Sequence, residues 1–188
     1  MRLTVIFFSL TIVFIYGCSS SKKKNALTGS DVVRMINHYE TDSLHAVMDK
    51  AFIMDFDNIS FQGNAKTFLE EIMPSAKAVE AYYEIVEAKK PENGNFQYTV
   101  KDHSAFDKYF QLEPPKLLLS IIINDSNRFE KIYIDSLPGY RQYDEQLGQK
   151  FISFDEWLKE KYPDDKLRYL LEDQTGKMIE RLKEYSSQ

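Results

Sequence analysis

The sequence predicts an α+β domain in which helices cover one face of a curved antiparallel sheet, with a helical extension behind it. Three observations predict it. Apolar residues recur at helical spacing early in the chain, and from Val79 to Lys101 the period changes to two. Between Leu117 and Ile123 the chain is continuously apolar with a β-branched end, as a central strand requires.

Taken in order, Val32, Val33, Met35, Ile36 and Tyr39 fall on one side of a first helix, with Asp31 a candidate N-cap. Thr41-Asp42-Ser43 interrupts, and either Asp42 or Ser43 can cap a second helix bearing Leu44, Val47 and Met48. Ala51 to Phe56 reads as a strand, and Ile59-Ser60-Phe61 as a short second one before a Gln62-Gly63 turn. Asn64 caps a third helix with Phe68, Leu69 and Ile72 inward and Pro74 near its end. Val79, Ala81, Tyr83 and Ile85 alternate with Glu80, Tyr82 and Glu84. Pro91-Glu92-Asn93-Gly94 is a hairpin turn, since Asn-Gly suits positive φ, and Phe96, Tyr98 and Val100 alternate on the return strand. Asn124 to Asn127 turns the chain from the apolar strand into a last strand, Arg128 to Asp135. Beyond Gly139, Ser153-Phe154-Asp155-Glu156 is a capping-box pattern ahead of Trp157 and Leu158. Pro163-Asp164 breaks the chain before Leu167, Leu170 and Leu171, and Met178, Ile179, Leu182 and Tyr185 continue after an interruption at Thr175-Gly176.

Composition bounds the function. The chain has 188 residues, 43% hydrophobic and 14% aromatic, which suits one domain with a real core and excludes a disordered chain. A formal charge of −5 argues against nucleic acid as a partner. The single cysteine excludes a disulfide scaffold and thiolate zinc clusters.

Met1-Arg2 is followed by an apolar run from Leu3 to Tyr16, shorter than the ~20 residues of a comfortable membrane span. A positive start, a short apolar segment and a small residue before a cut site describe a secretory signal peptide. Ile15-Tyr16-Gly17-Cys18 resembles the lipobox of bacterial lipoproteins, although the family usually has Leu at Ile15 and Ala or Ser at Tyr16. An ordinary signal peptide or an uncleaved anchor are the alternatives. The resemblance implies removal of residues 1–17 and acylation of Cys18, with palmitate-type chains holding the protein to a membrane. Residues 18–30 are then the lipidated cysteine and a polar tether. Ser19 is not the aspartate that retains enteric-type lipoproteins at the inner membrane, so the expected location is the cell envelope, at the outer membrane facing the periplasm.

Residues 31–138 resemble the NTF2-like superfamily in its SnoaL-like and ketosteroid-isomerase-like branches. The resemblance is carried by the helix Val32 to Glu40, Thr41-Asp42-Ser43-Leu44, the strand Phe52 to Phe56, Gly63, the Asn-Gly hairpin and the two final strands. It implies a cone of helices on a strongly bent sheet, often enclosing an apolar pocket. In the isomerase-like enzymes a carboxylate near the first strand removes a proton, and Asp55, or Asp57 nearby, falls near that position. The oxyanion partners are not matched: Met35 and Ile36 stand where the tyrosine would be, and Ser120 near the acid. Tyr83, Phe96, Tyr98 and Leu119, with Asp55, are the candidate pocket-lining residues, and core filling is the competing role for the four large side chains.

Other candidates are weaker. His38 and His45 lie across a helix break with no third ligand, His103 beside Asp102 is a marginal acid–base pair, and no metal site or cofactor motif is present. The expected function is a non-enzymatic lipoprotein binding a small apolar ligand or an envelope protein, and the alternative is an isomerase or lyase using Asp55 as general base. Residues 139–188 carry too many apolar side chains to leave in water, so they are expected to pack on their own domain, at the cone mouth or the outer sheet face. A helix on the outer face would block dimerisation there, which predicts a monomer or weak homodimer.

Overall fold

The computed structural model describes residues 26–56, 61–172 and 175–188. Cys18, the signal segment, Asp57 and the Ile59-Ser60 part of the expected second strand lie outside the described residues. Helix α1 spans Gly29–Asn37 and α2 Thr41–Val47. Thr28, not Asp31, is the N-cap of α1: its hydroxyl accepts from the Asp31 N–H, while the Asp31 carboxylate accepts from the Thr28 N–H at 3.0 Å. This reciprocal capping box starts the helix earlier than the apolar stripe alone indicates. The described chain comes in beside the β-turn at Asn124–Asn127, where the Leu27 N–H donates to Asn127 Oδ1 at 2.8 Å.

Strand β1 is Met48–Phe56 and β2 Phe61–Asn64. Gln62 and Gly63 therefore pair within β2, opposite Asp55 and Met54, rather than forming a turn. Asn64 caps the helical stretch that follows, accepting from the Thr67 N–H. That stretch runs through α3 (Ala65–Thr67), a wider π-type segment Phe68–Ile72 and α4 (Met73–Ala78). Strands β3 (Tyr82–Ala88), β4 (Asn95–His103), β5 (Lys116–Ile123) and β6 (Phe129–Ser136) form the expected antiparallel meander. Asn93 and Gly94 adopt φ of 48° and 76°, as the hairpin requires. A Cβ at Gly94 would lie 2.2 Å from the Ile123 carbonyl oxygen, so only glycine fits this close approach.

All six strands join one sheet in the order β2-β1-β6-β5-β4-β3, with β1 running parallel to β6. The fold is thus α+β as expected, with one parallel pair that the hairpin signals do not encode. The inner face of the sheet meets α1, α2 and the α3–α4 stretch around a core that includes Val32, Leu44, Met54, Val100, Leu119 and Phe129. Phe52, Phe68 and Phe129 cluster within it, with centroids 4.9–6.4 Å apart.

Between β4 and β5 lies an unforeseen helix, α5 (Ala105–Phe110). Ser104 and Asp107 form its capping box, and Gln111 ends it in the left-handed region at φ 56°. The extension begins with one long helix, α6 (Tyr140–Lys161), followed by α7 (Leu167–Glu172) and α8 (Thr175–Tyr185). Ser153 lies inside α6 instead of capping a new helix, because its hydroxyl donates back to the Gln149 carbonyl at 3.3 Å. Leu171 turns outward and is 41% exposed, while Leu170 is buried.

The extension packs on α5. Ala105, Tyr109 and Phe110 join Phe154, Leu158, Leu170, Met178 and Leu182 in a second core. This resting place differs from the expected ones, the cone mouth and the outer sheet face, because the six residues of α5 are too few for a periodic signal. Burying Phe154, Leu158, Met178 and Leu182, all at 0% exposure, contributes roughly 1.5–3 kcal/mol each before chain entropy is charged.

Candidate functional site

Alternation along β4 decides which of its side chains meet the helices. Tyr98 and Val100 are buried on the inner face, so Asp102, two residues on, is directed the same way. Tyr83 stands opposite Asp102 on β3 and shares that face. Both line a narrow cavity between the sheet and the helices, walled by Ile36, Phe56, Phe68, Met73, Ile132 and Ile134, with Tyr82 at its edge. The enclosed space is about 40 Å³, enough for a few waters.

Asp102 is the polar feature of this cavity. Its N–H donates to the Pro115 carbonyl, but its carboxyl has no hydrogen-bond partner among the described residues. Burial in apolar surroundings, reinforced by the charge of Asp107, pushes its pKa up to about 7. Burial also pushes the Tyr83 phenol up, with the Asp102 charge adding to it, so Tyr83 remains a donor through the neutral range.

Around Asp102 the fold assembles further titratable groups. Asp107, only 4% exposed, accepts from the Ser104 N–H at 2.6 Å and the Ser104 hydroxyl at 2.9 Å. Its other oxygen accepts from the Tyr143 hydroxyl of α6 at 2.5 Å. The Tyr143 phenol is held above its ordinary range by burial first, then by this bond and the charges of Asp107 and Asp102. Tyr140, one turn earlier, is raised by burial and then by Asp144 and Asp102. A protonated carboxyl with a pKa near neutrality, facing an apolar space beside an un-ionised phenol, can donate a hydrogen bond, accept one, or exchange a proton with a bound group.

The sequence candidates are distributed differently. Asp55 lies on the opposite face of β1 from Phe52 and Met54, beside Tyr133, with Gln62 donating to its carboxylate at 3.0 Å. Strand alternation therefore puts it outside the cavity. Tyr98 and Leu119 are buried in the main core, and Phe96 packs against it. Tyr83 alone of the candidate residues lines the cavity. His103 points away from Asp102: it stacks on Tyr82 at 4.6 Å and meets Glu84 at 2.8 Å. His38, just past the end of α1, and His45 on α2 are both exposed, and no group of three or more metal-ligating side chains occurs among the described residues. Asp107, Tyr140 and Tyr143 were missed in the sequence, because the bond joining α5 to α6 spans 36 residues. Asp102 carried a usable signal, its phase with Tyr98 and Val100.

Comparison with solved structures identifies the architecture. A SnoaL-like polyketide cyclase candidate from Shewanella putrefaciens superposes with a TM-score of 0.51 at 12% identity, over 77% of this chain and 99% of that one. The fold is NTF2-like. An NTF2-like protein of unknown function from Cytophaga hutchinsonii aligns over 58% of this chain and 87% of its own, at 6% identity and a TM-score of 0.43. A polyketide cyclase candidate from Sinorhizobium meliloti aligns over 54% and 87%, at 16% identity and a TM-score of 0.45. No protein-family model matches the sequence, and no curated protein matches it. No described helix of this NTF2-like chain is long and apolar enough to cross a membrane.

Proposed function

We propose that the NTF2-like domain is a small-molecule site for an apolar ligand that presents one polar group to Asp102 and Tyr83. The observation that carries this reading is the Asp102 carboxyl, enclosed by apolar walls and without a hydrogen-bond partner among the described residues. Asp102 is partly buried against these walls, and a carboxyl held so without a partner lowers stability; such groups concentrate at functional sites. The narrow cavity sets the scale: the first ligands to fit are small, and larger ones require the side chains at Tyr82 to part. A second reading, proton transfer of the isomerase or lyase type, is favoured by one observation, the Asp102 pKa of about 7. It replaces Asp55 by Asp102 as the general base.

Cyclohexanone tests both readings, since it is compact, apolar and carries one acceptor oxygen beside acidic C–H bonds. Titrated into the protein, it should shift the methyl resonances of Ile36, Ile132 and Ile134 as the side chains at Tyr82 part to admit it, and resonances left unchanged both by it and by the smaller acetone would overturn the site. Deuterium uptake by the ketone from D₂O above the solvent rate, lost in Asp102→Asn, would favour proton transfer over binding alone.

The same proposal places the domain in the cell envelope, anchored through acylated Cys18 at the outer membrane and facing the periplasm. The apolar run ending in Gly17-Cys18 and the polar segment after it support this. Cys18→Ser should abolish palmitate labelling and release the protein from membranes; a variant that still fractionates with membranes like the parent refutes the anchor.

A further inference from the structure

We propose that Asn37 and Tyr39, at the C-terminal end of α1, are positioning residues that clamp the Ala81–Tyr83 segment and so set the upper size of ligand at the Asp102 and Tyr83 site. This rests on the small-molecule reading given above and adds two residues to it, neither of which lines the cavity.

Strand β3 is the last in the sheet order, so its edge facing away from β4 has no strand beside it among the described residues. Asn37 takes that place at Tyr83. Its side-chain nitrogen donates to the Tyr83 carbonyl and its side-chain oxygen accepts from the Tyr83 N–H, both at 2.8 Å and across 46 residues of sequence. One planar amide thus reproduces the two-bond pairing of an antiparallel neighbour and fixes the Tyr83 backbone. Tyr39 holds the other end of the segment. It sits just past α1 in the left-handed region at φ 53°, a conformation that disfavours a bulky side chain and persists where the surroundings fix it. Its hydroxyl donates to the Ala81 carbonyl at 2.6 Å, while the Ala81 N–H donates to the Ala76 carbonyl of α4 at 2.8 Å. Ala76, Ala81, Tyr82 and Tyr83 all line the cavity, so these bonds are built into its wall. Between the two fixed residues, Tyr82 pairs with His103 on β4, and its ring, 46% exposed, stacks on that imidazole at 4.6 Å. An exposed ring swings out on its own. The backbone on either side follows only if the bonds to Asn37 and Tyr39 break. The cavity therefore opens by the swing of the Tyr82 side chain, which suits a single small ring and excludes a fused pair.

The test titrates the full chain with ketones of rising size, acetone, cyclohexanone and 2-decalone, and reads the methyl resonances of Ile36, Ile132 and Ile134. In the parent the first two should bind, and 2-decalone should bind at least about tenfold more weakly than cyclohexanone despite its larger apolar surface. Tyr39→Phe keeps the ring and removes the donor to Ala81. Asn37→Asp keeps the acceptor for the Tyr83 N–H and removes the donor to its carbonyl. Either variant should raise the affinity for 2-decalone relative to cyclohexanone by about tenfold. The two act on different bonds, so each serves as the second variant should the other fail to fold. A merely structural role predicts a lower melting temperature with that ratio unmoved, and this result overturns the proposal. So does a parent that takes 2-decalone as tightly as cyclohexanone. Parent resonances moved by none of the ketones would instead overturn the small-molecule reading itself, so the two failures are distinguishable.

Discussion

Replacing Asp102 by Asn should stabilise the protein, and the gain should grow with pH. In the unfolded chain the carboxyl loses its proton near 4, whereas in the fold it keeps it to about 7. Between those values the folded state binds more protons, so parent stability falls as pH rises through that window and stays lowered above it. A folded pKa about three above the unfolded one, at 1.36 kcal/mol for each, sets an upper bound of ~4 kcal/mol. The residue as a whole is half-buried, so about 2–4 kcal/mol is the working range. Asparagine does not titrate, and its own cost in the cavity is the same at every pH. The quantity to measure is therefore the stability difference between variant and parent, by urea unfolding at pH 4.5, 6, 7 and 8. It should climb across this series and level off near 8, equivalent to a melting-temperature difference on the order of 10 °C. A difference that stays flat with pH would refute the raised pKa of the Asp102 carboxyl, and with it the functional reading.

Two further outcomes follow from the same structure. Phe154→Ala empties the centre of the second core, where Phe154 is 0% exposed against Phe110, Trp157 and Tyr185, and should cost about 3–5 kcal/mol by urea denaturation. A loss below ~1 kcal/mol would mean that the extension is loosely seated. Asp55→Asn changes only an exposed pair with Gln62 on the outer face, so cyclohexanone binding and exchange should match the parent. A tenfold loss there would return Asp55 to the site.

Legibility in the sequence followed the range of the interaction. The stripe of α1, the Asn64 cap, the hairpin at Asn93-Gly94 and the run of β5 are local signals, and each element forms there, with α1 alone starting ahead of its expected Asp31 cap, at Gly29. The parallel pairing of β1 with β6 joins Ile53 to Lys131 and Met54 to Ile132, and no local pattern encodes it. Helix α5 escaped because Ala105–Phe110 is under two turns long and its only signature is the Ser104–Asp107 box. At the site, the difficulty was phase. Asp55 and Asp102 are both carboxylates within strands, but Met54 fixes one outward and Val100 fixes the other inward. Counting alternation from the nearest buried neighbour separates them; a family resemblance centred on the first strand does not.

The two cores are not independent bodies joined by a linker, and this bears on how the site works. Val79, the residue that ends α4, packs in the second core, and its carbonyl accepts from the Ala105 N–H at 2.8 Å. The segment from α4 through β3 and β4 to α5 is therefore pinned at both ends against the extension, and it carries Tyr82, Tyr83 and Asp102. Removing the extension would strip apolar cover from Ala105, Tyr109 and Phe110 and take one donor from Asp107 in the same step. Loss of packing and loss of polar satisfaction are coupled there, so a truncated chain would lose the seating of α5 along with its stability. The residues after the last strand thus act on the sheet through α5, on which Phe154, Leu158, Leu170, Met178 and Leu182 pack.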